Sequence, residues 1–155
     1  MHESLQPIFD EWKFYRQMTV DLLDSLPENA LSFSVGEGMG ILAKQFRHLG
    51  DIELCYVEAL RFGVMDFSRQ RKDYSIESSK DRLREFLFEI DDALSNTLEM
   101  IELEKTIAWG EEQLSLAEHL SALVHHETLH QGELIVYVRV QSLSFPPSWS
   151  AWGLA

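Results

Sequence analysis

Side chains that suit a protein interior recur every three or four positions in four stretches of the chain, and this period constrains the fold most strongly. The clearest stripe, in the third stretch, consists of Leu83, Leu87, Ile90, Leu94, Thr97 and Ile101. Alternating steps of four and three residues keep these side chains on one face of an α-helix. Acidic residues and arginines occupy the opposite face, so the stretch predicts an amphipathic helix of the kind that packs in bundles.

The other three stretches have the same period and are also predicted to be helices. The first begins by Leu5 and ends at Pro27, the second runs from about Met39 to Phe62, and the fourth runs from about Ser115 to Gln141. No stretch shows the strict alternation that is typical of a strand. We therefore predict an all-α fold, an antiparallel four-helix bundle, formed by a single domain over residues 1–155.

Three segments outside the helices are rich in residues that break regular structure. Glycine, serine and asparagine between residues 27 and 39 predict a loop that could form a rim or lid. The polar stretch 69–80 is predicted to be a linker that is able to move. The tail 144–155 contains Pro146 and Pro147, which prevent the fourth helix from continuing, and we expect it to pack over one end of the bundle.

Charge and cysteine content exclude several classes of function. The formal net charge is -13, from 26 acidic and 13 basic residues, and no run of lysine or arginine could follow a phosphate backbone. We therefore expect no nucleic-acid partner and no binding to an anionic membrane. With one cysteine, Cys55, no internal disulfide can form, and the chain shows no secretion signal, so we expect a cytoplasmic protein.

Two histidines in the fourth helix have the spacing of a metal-binding pair. His126 and His130 are four residues apart, so both imidazoles leave the same face of the helix and could reach one ion. Both also stand where the pattern requires apolar side chains, and buried imidazoles need partners. The spacing alone leaves metal binding and ordinary core histidines equally open.

His48 favours the metal interpretation, because it lies on an apolar seam of the second helix that could face the fourth. Taken alone, it would be more typical of a histidine at the edge of a core. The remaining histidines are poorer candidates. His119 is roughly 10.5 Å from His126 along the helix axis, His125 points about 100° away from it, and His2 lies at a terminus.

With these residues identified, nearly the whole chain resembles the DinB/YfiT-like family of helical-bundle proteins. The resemblance rests on the segments FRHLGDIE at 46–53, HHETLHQGE at 125–133 and PPSWSAW at 146–152. In that family the equivalents of His48, His126 and His130 bind one divalent ion, with zinc or nickel the leading candidates and iron or manganese as alternatives. The family motif usually has an amide at the end of the second segment, where this chain has Glu133.

The resemblance implies a metal-dependent enzyme that transfers a low-molecular-weight thiol to small electrophiles, similar to bacillithiol S-transferases. A metal-dependent hydrolase and a non-catalytic metal-binding stress-response module remain as alternatives. Glu133 could contact a ligand histidine, act as a base, or simply face solvent. Cys55 is expected to be inert core rather than a nucleophile. The resemblance also implies a homodimer, although the aromatic residues outside the helices could equally be buried within one chain.

Overall fold

The computed structural model describes residues 1–154 and contains four long α-helices. Their bounds are Gln6–Ser25 for α1, Leu42–Phe62 for α2, Lys80–Met100 for α3 and Leu116–Val140 for α4. The predicted all-α bundle is confirmed. Local signals fix two of the helix ends: Gly63, at φ 76°, terminates α2, and Ser115 forms a capping box with Glu118 at the start of α4.

The helices enclose an apolar interior. α2 packs against both α3 and α4, and α1 packs mainly against α4 and less extensively against α3. Buried side chains form two groups, one around Trp12, Leu60 and Leu120 and the other around Phe46 and Trp149. Because α2 and α4 are neighbours, the inward faces of these two helices meet. None of the helices within residues 1–154 is sufficiently long and apolar to cross a membrane.

A short β-hairpin that the sequence pattern does not predict lies between α3 and α4. β1 (Thr106–Trp109) pairs antiparallel with β2 (Glu112–Ser115) through a two-residue turn, in which Gly110 has φ 62°. Glycine at the first central position of such a turn is typical of type II′ hairpins. The backbone of Ala108 also bonds to Gly63 and Met65 at 2.9 and 2.8 Å. The prediction of no strands was therefore wrong for this connection.

The connection before α3 is more regular than a mobile linker. It contains two short 3-10 turns, Phe67–Arg69 and Tyr74–Ser78, each capped by an aspartate. Arg47 of α2 forms an ion pair with Glu77 at 2.5 Å, and the backbone N–H of Lys72 donates to the Asp51 carboxylate at 3.2 Å. These contacts hold the segment against α2.

The C-terminal tail folds back along α1 and α4. The Trp149 ring is fully buried, and its indole N–H donates to the carbonyl of Met18 at 2.7 Å. Trp152 stacks on Tyr15 and donates to the side-chain oxygen of Gln131 at 2.8 Å. These partners lie in the middle of their helices, so the tail covers the side of the bundle rather than its end. Its last residue, 155, lies outside the described part of the chain.

Candidate metal centre

Three histidines from two neighbouring helices meet at one place. His48 projects from α2, and His126 and His130 project from consecutive turns of α4. One ring nitrogen from each lies within 4.8 Å of the others, and the ring centroids are 4.5 to 5.5 Å apart. The three residues singled out in the sequence are therefore brought together by the packing of α2 against α4.

Burial keeps two of these imidazoles neutral. The pKa of His48 is lowered to about 4, mainly because the ring is buried away from solvent and secondly because His130 is close. The same causes, with His48 as a further neighbour, lower the pKa of His126 to about 3. At neutral pH both rings therefore keep a free lone pair, which is the form that binds metal ions.

Glu133 orients the third imidazole. The Nδ1–H of His130 donates to the Glu133 carboxylate at 2.8 Å, within the same turn of α4. Since Nδ1 is engaged, Nε2 is the nitrogen of His130 that remains available as a ligand. Glu133, about one-third exposed, is therefore in contact with the histidine cluster rather than simply facing solvent.

Two features of the cluster fit a divalent metal ion: the chemistry of its three donor nitrogens, and a buried nitrogen that lacks a hydrogen-bond partner within residues 1–154. Three imidazole nitrogens form a donor set that suits zinc, nickel or iron. The Nδ1 atom of His126 is buried and has no hydrogen-bond partner among the described residues. A buried polar atom without a partner is costly, and a metal ion or a proton donor would relieve that cost.

A cavity of about 230 Å³ opens beside His48 and His130. Its other walls include Met39 and Lys44, at the junction of the 27–39 segment and α2. The hydroxyl of Tyr137 lies 3.0 Å from the Met39 carbonyl oxygen and holds this rim in position. The segment thus forms part of the rim, as predicted. A larger cavity, about 560 Å³, lies between α1 and α3 and contains none of the three histidines.

A buried charge cluster is centred on Arg16 of α1, and it is absent from the sequence-based predictions. The Arg16 guanidinium contacts the carboxylates of Glu53, Asp91 and Glu127 at 2.6, 3.3 and 3.2 Å. Burial raises the pKa of Glu53 well above its usual range and that of Asp91 to about 6. The Arg16 charge also contributes to the low pKa of His126.

The other histidines lie outside the cluster, as expected. His125 and His2 are exposed, whereas His119 is fully buried beside the hairpin. The indole N–H of Trp109 donates to Nδ1 of His119 at 3.2 Å, which leaves Nε2–H to donate to the Tyr56 carbonyl at 3.1 Å. Both ring nitrogens are satisfied by protein groups, so His119 is a structural residue.

His119 makes stability depend on pH in the acidic range. Burial lowers the pKa of His119 from 6.5 to about 4. Between these pH values the ring is protonated in the unfolded chain but neutral in the folded protein. Stability is therefore lost as pH falls from 6.5 towards 4. In metal-free protein, the decrease in unfolding free energy between pH 7 and 4.5 is expected to be smaller in His119→Gln by on the order of 2 kcal/mol. Equal decreases in both proteins, measured by urea unfolding, would contradict this assignment.

These features define a class of small all-α bundle proteins with a candidate tri-histidine metal centre between two helices. The chain belongs to the DinB family, whose family model matches residues 1–141. This confirms the resemblance seen in the sequence. A search of curated proteins finds no match.

Solved structures of similar proteins agree with the fold. The crystal structure of a DinB-like protein from Bacillus cereus ATCC 10987 is 18% identical, with a TM-score of 0.76, and the match covers 92% of this chain and 95% of that one. A DinB-like protein from Bacillus subtilis is 17% identical, with a TM-score of 0.71 and coverage of 91% and 95%. At these identities the similarity shows the fold alone.

Proposed function

We propose that the protein is a metal-dependent enzyme that transfers a low-molecular-weight thiol to small electrophiles. The observation that carries the proposal is the cluster of three imidazoles beside an open cavity. No other histidine, cysteine or carboxylate of residues 1–154 belongs to that cluster. Three protein ligands with room for a fourth are typical of catalytic rather than structural sites. Zinc or nickel is the proposed ion, with iron or manganese as alternatives.

The side chains have separate roles in this proposal. His48, His126 and His130 hold the ion, which when bound lowers the pKa of a thiol so that thiolate is available near neutral pH. Glu133 keeps His130 in the tautomer that binds through Nε2. During transfer a carbon–sulfur bond forms, the leaving group departs with its electron pair, and the thiol proton passes to solvent.

The alternative is metal-dependent hydrolysis, which the position of Glu133 on the cavity wall favours. A carboxylate there could take a proton from an attacking water. Hydrolysis would proceed without added thiol and would lose rate in Glu133→Gln. A non-catalytic stress-response module would bind metal in stoichiometric amount and turn over neither class of substrate.

The deciding experiment is a transfer assay on metal-loaded protein. A panel of small thiols is tested against an aryl halide, with release of halide as the signal, and an ester panel without thiol is run in parallel. Thiol-dependent turnover that disappears in His48→Ala supports the proposal. Ester turnover without thiol would favour hydrolysis, and no turnover of either panel would favour the non-catalytic module.

Cys55 is expected to be dispensable for turnover. Its thiol is buried and donates to the carbonyl of Asp51 at 3.3 Å, and burial raises its pKa to about 11. A thiol with so high a pKa is a poor nucleophile at neutral pH. Cys55→Ser should keep the rate of the parent protein to within about two-fold in the same assay, and abolished turnover would overturn this prediction.

We also propose that the protein forms a homodimer through α4. Leu129, Val136 and Val140 form an exposed apolar stripe on this helix, with Gly132 between them. Such a stripe is unusual for the solvent face of a helix. Val136→Glu is expected to convert dimer to monomer in size-exclusion chromatography with light scattering. Met100→Glu, at an exposed position of α3, is the control and should not change the measured mass.

A further inference from the structure

One lysine stands at the mouth of the candidate site without a partner. Lys44 lies in the first turn of α2 and lines the cavity together with His48 and His130. Its side chain forms no hydrogen bond or ion pair with any residue in the described range 1–154. Lys44 is also the only lysine or arginine among the described residues that line this cavity.

Local geometry keeps this cation near the cavity. A Cβ atom added to Gly40 would lie 2.5 Å from Cδ and 3.2 Å from Nζ of Lys44, so the lysine side chain lies over the glycine. The first turn of α2 contains no acidic residue. Glu133, a carboxylate that also lines the cavity, already accepts a hydrogen bond from His130. Lys44 is therefore available to a ligand that enters the cavity.

We infer that Lys44 selects substrates that carry a carboxylate, binding this group while the reacting sulfur lies at the histidine cluster. The inference rests on the proposed function and adds a substrate class to it. A single ammonium group matches a single negative charge. A phosphate dianion would fit less well, because Glu133 also lines the cavity and only one lysine would balance the added charge. The cavity of about 230 Å³ suits a small molecule.

The test compares two thiols of the same length that differ in charge. The dissociation constants of 3-mercaptopropionate and 3-mercapto-1-propanol are measured by calorimetry on metal-loaded protein. The parent protein is expected to bind the acid about five- to ten-fold more tightly, since the contact joins two charged groups at a partly exposed site. In Lys44→Met the two thiols should bind equally.

A matched lysine variant controls for the loss of one positive charge. Lys13 is exposed on α1, forms an ion pair with Asp10 and does not line this cavity. Lys13→Met should keep the preference for the acid. Equal binding of both thiols by the parent protein, or a preference that persists in Lys44→Met, would overturn the inference and leave the proposed function standing. If neither thiol binds, both the inference and the proposed function are overturned.

Discussion

Replacing His126 with alanine is expected to abolish stoichiometric metal binding. The parent protein, purified without a histidine tag and exposed to zinc or nickel, should contain about one ion per chain, because three imidazoles converge on one point. The variant keeps only His48 and His130, and loss of one ligand from a three-ligand site should weaken binding by about 100-fold or more. Elemental analysis after dialysis measures the difference.

His125→Ala is the matched control. His125 is the neighbour of His126 on α4, but it is exposed and lies outside the cluster. This variant should retain as much metal as the parent protein. If the parent protein binds no ion even with excess zinc or nickel, the three histidines are ordinary interior residues. Equal loss in both variants would instead indicate damage to α4 in general.

The four helices and the pair of His126 and His130 could be predicted because both depend on helical periodicity. A stripe such as that of α3 is repeated over several turns, so the signal accumulates along the helix. His126 and His130 were identified from spacing within one helix. His48 was added because its apolar seam on α2 could face α4 and because the family resemblance implies it. Sequence periodicity indicates which face of a helix is buried but not which neighbour covers it.

The hairpin and the buried charge cluster depend on contacts that sequence periodicity does not encode. Each strand has only four residues, and its hydrogen bonds come from the other strand and from residues 63–65. Arg16 did leave a signal, since it stands four residues after Trp12 on the inward stripe of α1. Its carboxylate partners come from three other helices, so their convergence could be identified only after folding.

Arg16→Met is expected to be the most destabilising single change in this region. Arg16 is 3% exposed, and it is the only cation in contact with Glu53, Asp91 and Glu127 among the described residues. Removing it leaves buried carboxylates without a counter-charge. Loss of one partner from a buried ion pair costs about 3–5 kcal/mol, a large part of the stability of a small domain.

The pH dependence of this loss separates the electrostatic cause from a simple packing defect. Without Arg16 the pKa values of Glu53 and Asp91 rise further. The folded protein then holds protons that the unfolded chain releases, and stability falls as pH rises above the unfolded value near 4. The destabilisation, measured by urea unfolding of metal-free protein, should therefore be larger at pH 8 than at pH 5.

Two variants control for this interpretation of Arg16→Met. Arg84→Met removes an arginine that pairs with Asp24 and Asp81 while about 40% exposed, and it should cost no more than about 1 kcal/mol. Adding Glu53→Gln to Arg16→Met removes one buried acid at nearly constant volume and should restore part of the lost stability at pH 8. A loss independent of pH and unchanged by Glu53→Gln would mean that Arg16 stabilises the bundle through its packing against Trp12.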